Sequence, residues 1–315
     1  MACAEISWRV RDYDLGATLE SGQAFRWQRV TAGQAGAPSP VGRAVPGAPG
    51  AAGEGPPALP GPGSWEGVIG SRWVRLSQAG EVIRAETALA QESWGWLTHY
   101  LQLEVELDRI LETFPPDPPL LEAVAAYRGL RLLRQEPWEC LASFILSSTK
   151  QIVQIRQIIA ALCERYGEPV VVPAGVAPCW QFPTAHRLAG GTEAELRACK
   201  AGFRAPYLLA AARQVAEGRI GLDGLAQRPL AEARAALMAL PGVGRKIADC
   251  VLLFAGGFPR AFPVDIWVLR ALRELYPECR RLPPRRLVEF GETHFGPHGG
   301  YAQQYLFHFR RVRRR

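Results

Sequence analysis

Two stretches in the second half of the chain carry residue types that can do chemistry. The first is Leu240-Pro-Gly-Val-Gly-Arg-Lys246, which runs into the apolar-periodic segment ending at Phe254. Pro241 cannot continue a helix and Gly242 can take the positive φ of a tight turn, so one helix should end at Leu240 and a second begin near Gly244. Ile247, Val251 and Phe254 fall at i, i+4 and i+7, one face of that second helix. Its unpaired N–H groups and its dipole suit an anion such as a DNA phosphate, and two glycines allow close backbone approach. Lys246 sits in the first turn, where the dipole disfavours a positive charge. The hairpin alone leaves two readings open. Lys246 is either an aid to phosphate contact, the simpler reading, or a nucleophilic amine able to form a Schiff base with a sugar aldehyde carbon.

The second stretch is Ala261-Phe-Pro-Val-Asp265-Ile-Trp267. Pro263 forces an extended approach and Asp265 precedes an apolar-periodic run, so Asp265 is expected to cap a helix. A capping carboxylate can also aim an oxygen into a cleft, where it stabilises positive charge on a sugar ring or relays a proton. Cys250 follows Lys246 by four residues, so a helix shows both side chains to one cavity. The five histidines, His99, His186, His294, His298 and His308, have no metal-ligand spacing, and no side-chain metal site is expected.

These stretches need a scaffold, and the pattern of apolar residues predicts one in two parts. Ile152, Ile155, Ile158, Ile159 and Leu162 form a helical stripe, with similar stripes at 119–127, 205–217 and 230–240. Ahead of them, 24–30, 65–70, 73–77 and 82–85 alternate apolar and polar residues as strands do, with a turn signal at Ala79-Gly80. Residues 31–64 are Ala, Gly and Pro with almost no large side chain, which reads as a flexible insertion in one hairpin. The expected class is α+β: an N-terminal antiparallel sheet domain over 1–112, a mainly helical domain over 113–309, and a basic tail over 310–315. That tail reads equally well as a solvated terminus and as a phosphate-contacting arm.

Bulk properties narrow the class. Lys and Arg outnumber Asp and Glu by 37 to 30, a modest excess that favours a polyanionic partner. Seven scattered cysteines have no paired framework and fit reduced thiols. No apolar run is long enough for a membrane span and the first residues lack a secretory-signal layout, so a soluble, intracellular protein without a membrane partner is expected.

The Leu-Pro-Gly-Val-Gly-x-Lys hairpin followed by Pro-Val-Asp resembles the helix-hairpin-helix, Gly/Pro/Asp DNA glycosylase superfamily. Outside 31–64 the chain resembles its 8-oxoguanine DNA glycosylase family. The supporting stretches are Ser21-Gly-Gln-Ala-Phe-Arg-Trp27, the run from Gly129 to Ser148, Gly202-Phe-Arg-Ala-Pro-Tyr207 and Tyr301-Ala-Gln-Gln-Tyr-Leu-Phe307. The resemblance implies the helix-hairpin-helix glycosylase fold, with its hairpin at 230–255, and duplex DNA containing 8-oxoguanine as the partner of a monomeric bifunctional glycosylase and lyase. It implies Lys246 as nucleophile and Asp265 as catalytic carboxylate. Gly22 offers a carbonyl to the N7 proton that guanine lacks, Cys250 and Phe307 sandwich the flipped base, and Gln303 bonds its Watson–Crick edge. Read singly, Cys250 and Phe307 also suit a core and Gly22 a turn.

The resemblance further implies DNA contacts at Thr149, Gln154, Phe203, Arg204, Gly242, Gly244, Lys246 and Trp267, with a monovalent cation on hairpin carbonyls. Several of these depart from the family's usual residues. Thr149 and Gln154 replace the asparagine and arginine that fill the vacated gap and read the orphaned cytosine, Phe203 replaces a tyrosine, and Trp267 replaces a phosphate-binding histidine. Strict preference for cytosine opposite the lesion is therefore not expected. No cofactor is expected to be required. Only Cys250 and Cys279 lie beyond residue 200, too few for the four-cysteine iron–sulfur cluster of related endonucleases. A nuclear location is expected in a eukaryote and the nucleoid in a bacterium. Two rival readings are a monofunctional alkylpurine glycosylase, which has no use for Lys246, and a non-catalytic DNA-binding module, which leaves Asp265 and Gln303 without purpose.

Overall fold

The computed structural model describes residues 3–30, 63–148 and 151–313. The insertion over 31–62 and Thr149 lie outside the described residues. The strands are β1 (Ala4–Arg9), β2 (Gln28–Val30), β3 (Ser64–Ile69), β4 (Arg72–Ala79) and β5 (Val82–Thr87), with a short pair β6 (Pro169–Val170) and β7 (Cys179–Trp180). The first five form one antiparallel sheet in the order β1-β5-β4-β3-β2. Ala79 pairs with Val82 across a two-residue turn whose Gly80 has φ +56°, the left-handed backbone such a turn requires.

Two differences from the sequence reading have physical causes. The alternation in 24–30 yields a strand only over 28–30. Phe25 enters the helical core and Trp27 the sheet core, so the pattern marks a chain passing between two cores without a ladder partner. Ala4–Arg9 was not foreseen as a strand. It alternates half-buried and exposed residues and fills the sheet's outer edge beside β5.

The helices are α1 (Leu15–Glu20), α2 (Gly95–Leu101), α3 (Leu107–Leu111), α4 (Pro118–Ala126), α5 (Pro137–Ser147), α6 (Ile152–Tyr166), α7 (Ala185–Ala189) and α8 (Glu193–Ala198). They continue as α9 (Ala205–Ala216), α10 (Leu230–Met238), α11 (Arg245–Phe254), α12 (Ile266–Leu275), α13 (Pro284–His294) and α14 (Gly299–Val312). In α5 every residue from Leu141 to Leu146 is buried, as expected of a helix enclosed on all sides. It packs on α6, α9 and α11. Helix α1 joins the two cores, Leu15 and Leu19 facing the sheet core and Ala17 the helical one.

The basic tail expected from residue 310 is corrected over 310–312. Helix α14 runs to Val312, and Arg311 is buried. Arg310 is mostly buried and pairs with Glu274, whereas Arg313 pairs with Glu122 on the surface, both side chains more than half exposed.

Candidate active site

The hairpin comes first in building the site. Helix α10 ends at Met238, and Gly242 at φ +76° makes the turn. A Cβ at Gly242 would collide with the Tyr207 ring, so glycine is required both for the backbone conformation and for the close approach of α9. Gly244 caps α11 with no side-chain acceptor, and nothing lies within 4 Å of where its Cβ would be. Gly244 thus brings no side chain to compete for the first amides of α11, as an anion site requires. Behind the hairpin, buried Asp249 accepts a hydrogen bond from Arg234 Nε at 2.6 Å and forms an ion pair with Arg245, whose Nε lies 3.5 Å away. Both arginines also reach Glu292 of α13 at 2.7 Å. Burial pushes the Asp249 carboxyl above the usual range while the Arg234 bond opposes it, and the network fixes α10 against α11.

Lys246 and Cys250 lie one turn apart on α11 and both line a cavity of about 420 Å³. Lys246 Nζ lies 3.4 Å from Ser147 Oγ and 4.9 Å from the centroid of Phe144, both on α5. The lysine thus spans from the hairpin helix to the central helix, with an aromatic face and a hydroxyl holding its amine in the cavity. Burial pushes the Cys250 thiol up to about 12, with the neighbouring lysine opposing, so it meets the cavity as a neutral sulfur.

Asp265 has the expected cap geometry. Its Oδ1 accepts the Trp267 and Val268 amides, each at 2.9 Å, which fixes the carboxylate at the start of α12. Asp265 and Trp267 line the same cavity as Lys246.

The far wall comes from α14 and the loop after α1. Gln303, Gln304, Phe307 and Arg311 line it from α14, facing Gly22. Gln303 is buried and its Oε1 has no partner among the described residues, a costly state that a ligand donor would relieve. Gly22 has φ +81° within a tightly held loop. Arg311 Nη2 donates to the Glu20 carbonyl, Gln304 Nε2 donates to the Ser21 carbonyl at 3.0 Å, and Gln135 Nε2 donates to the Gln23 carbonyl at 2.7 Å. Buried Gln23 in turn donates to the Arg131 carbonyl and accepts the Leu133 amide, both at 2.8 Å, locking the loop to the segment before α5.

The structure thus gathers Gly22, Lys246, Cys250, Asp265, Trp267, Gln303 and Phe307 around one space, although they span most of the chain. Phe203 and Arg204 form a separate exposed feature in a 3-10 turn before α9. Phe203 is 51% exposed, and the Arg204 guanidinium stacks 4.6 Å from its ring and 5.8 Å from that of Tyr207. Gln154 lies outside the cavity lining, its Oε1 accepting the Gln151 amide at 3.1 Å as a helix cap. Sequence reasoning missed Phe144, Ser147, Gln304 and Arg311. Arg311 had a signal, since Gln303, Phe307 and Arg311 repeat every four residues on one helix. Among the described residues no group of three His, Cys, Asp or Glu could hold a metal ion, and no helix is long and apolar enough to cross a membrane.

Residues 59–141 match the N-terminal domain model of 8-oxoguanine DNA glycosylase, and residues 142–289 match the HhH-GPD superfamily of base excision DNA repair proteins. A probable N-glycosylase/DNA lyase of Methanothermobacter thermautotrophicus is 32% identical over 219 residues, covering 63% of this chain and 69% of the relative. The structure of MBOgg1 in complex with a low-affinity DNA ligand superposes with a TM-score of 0.84 at 30% identity, covering 99% of this chain and 96% of that one. The Clostridium acetobutylicum 8-oxoguanine glycosylase/lyase, bound to duplex DNA with cytosine opposite 8-oxoguanine, gives 0.82 at 28% identity over 96% and 93%. With sequence matches on both domains, a similar fold over nearly its whole length and the lysine and aspartate in one cavity, the chain belongs to the 8-oxoguanine DNA glycosylase family of the HhH-GPD superfamily of base excision DNA repair enzymes.

Proposed function

We propose that this enzyme removes 8-oxoguanine from duplex DNA and then cuts the strand through a Schiff base on Lys246. One observation carries the reading: a single cavity joins an amine and a carboxylate to a chamber that holds the unpaired buried acceptor of Gln303. A guanine-type Watson–Crick edge, with donors at N1 and N2, brings N–H groups to such an acceptor.

The α11 amides, together with Gly242 and Gly244, grip the phosphates beside the lesion. The turn supplies neutral oxygen donors, among them the Leu240 carbonyl, which accepts one N–H from Val243 and keeps a second lone pair. A monovalent cation held there would offset phosphate charge. The damaged nucleotide leaves the stack and enters the cavity. Cys250 and Phe307 hold its two faces, Gln303 takes its Watson–Crick edge, and the Gly22 carbonyl accepts the N7 proton that an undamaged guanine lacks.

Lys246 Nζ then forms a bond to the anomeric carbon as the glycosidic bond breaks, and the electron pair leaves on the purine. The proton shed by the amine neutralises that charge, and Asp265 supports the positive charge of the sugar. Opening of the sugar ring gives the Schiff base, which acidifies the C2′ hydrogen. Loss of that proton expels the 3′ phosphate. No step calls on a cofactor.

Opposite the lesion, Phe203 wedges into the stack and Arg204 reaches the orphaned base, with Trp267 offering its indole N–H to a phosphate. With Thr149 and Gln154 in place of the usual readers, discrimination between opposite bases is relaxed. The enzyme acts as a monomer where the genome lies, the nucleus of a eukaryote or the nucleoid of a bacterium. A monofunctional alkylpurine glycosylase fits less well, because it gives the cavity's lysine no task.

Borohydride added to the protein on an 8-oxoguanine duplex should trap a covalent adduct that disappears in Lys246→Gln; a wild type that traps nothing sinks the lysine mechanism. Repeating the assay against all four opposite bases should give similar yields, and a steep preference for cytosine refutes the relaxed discrimination.

A further inference from the structure

We infer that Arg311 is a base-pocket residue, holding Gly22 and Phe307 in place and setting a positive charge against the purine as it leaves; the inference rests on the proposed excision reaction. Arg311 lies two turns beyond Gln303 on the cavity face of α14 and is buried. Its Cζ lies 5.4 Å from the centroid of the Phe307 ring, on which a base would stack. Its Nη2 donates to the Glu20 carbonyl, and Nη1 lies 2.6 Å from where a Cβ on Gly22 would be. One guanidinium therefore backs the stacking ring and fills the space behind the glycine that reads the base.

The charge has a second consequence. Among the described residues lining the cavity, Lys246 and Arg311 are the cations and Asp265 the carboxylate. Lys246 and Asp265 act at the sugar, which leaves Arg311 as the charge on the base side. When the glycosidic bond breaks, its electron pair moves onto the purine. A guanidinium stays protonated throughout and cannot supply the proton, so its contribution is a fixed field on the base side. Cleavage of an abasic site involves no base and should be far less sensitive to that field.

The test compares two single-turnover rates in the full-length protein: excision from an 8-oxoguanine duplex, and strand cleavage at a preformed abasic site. Arg311→Met should slow excision by about 10- to 100-fold, against about threefold or less for cleavage. Arg311→Lys, which keeps the charge but not the planar fork, should recover part of the excision rate. Across purine lesions of differing leaving-group acidity, Arg311→Met should lose most on the poorest leaving group. Equal loss in both rates, or no loss in either, overturns the inference. So does a methionine variant as active as the lysine one. A wild type that excises no 8-oxoguanine overturns the functional reading and this inference together, whereas the other outcomes strike the inference alone.

Discussion

Asp265 divides its two oxygens between structure and chemistry. Oδ1 is committed to the amides of Trp267 and Val268, which leaves Oδ2 outside the cap while the residue lines the cavity. The two roles can be separated by substitution. Asp265→Asn keeps a capping oxygen, so its thermal midpoint should stay within about a degree or two of wild type, while excision falls by about 100-fold or more for loss of the charge. Asp265→Ala loses the cap as well and should cost about 1 kcal/mol of stability in thermal unfolding. If the asparagine variant excises at the wild-type rate, Asp265 is a cap and nothing more. Gln303 shows the complementary pattern, a buried acceptor without a partner among the described residues. Such groups cost stability and persist where a ligand completes them.

At the level of elements the hairpin glycines are not equivalent. Gly242 is fixed by its φ of +76° and by the Tyr207 ring, so Gly242→Ala should lower stability by about 2–3 kcal/mol and weaken duplex binding with it. Gly244 has φ −88°, ψ 177° and open space, a backbone that any residue adopts. Serine there should cap α11 and hold or raise the thermal midpoint, yet its hydroxyl would take the amides meant for phosphate. Affinity for duplex DNA should fall about tenfold in Gly244→Ser, and unchanged affinity would show that the helix end binds no phosphate. This hairpin was legible in the sequence because proline, glycine and helical periodicity act over a few residues. The brace behind it was not: Arg234 and Glu292 are 58 residues apart, and nothing in either neighbourhood announces the pairing. Residues 24–30 misled for a related reason, since their alternation records two different cores rather than one pleated face. The pocket residues were found through resemblance. Gln303, Gly22 and Phe307 have no local pattern that distinguishes a base chamber from a core.

Across the whole molecule the site depends on two cores meeting, the sheet core through α1 and the loop carrying Gly22, and the helical core through α5, α11 and α14. Strands β2 and β3 belong to the sheet, away from the cavity lining, and between them the chain carries 31–63. Val30 and Ser64 are paired directly. That register is the one a two-residue hairpin closes, so Asn-Gly in place of 31–63 should join the strands without shifting either. Shortening a closed loop from 33 residues to two lowers its closure entropy by about 2 kcal/mol, so the thermal midpoint should hold or rise by a few degrees. The change alters no residue of the cavity lining or the hairpin, and single-turnover excision and borohydride trapping should both stay within about twofold of wild type. A higher midpoint with lost excision would mean that 31–63 takes part in handling DNA. A lower midpoint would mean that the sheet depends on the insertion for more than a connection.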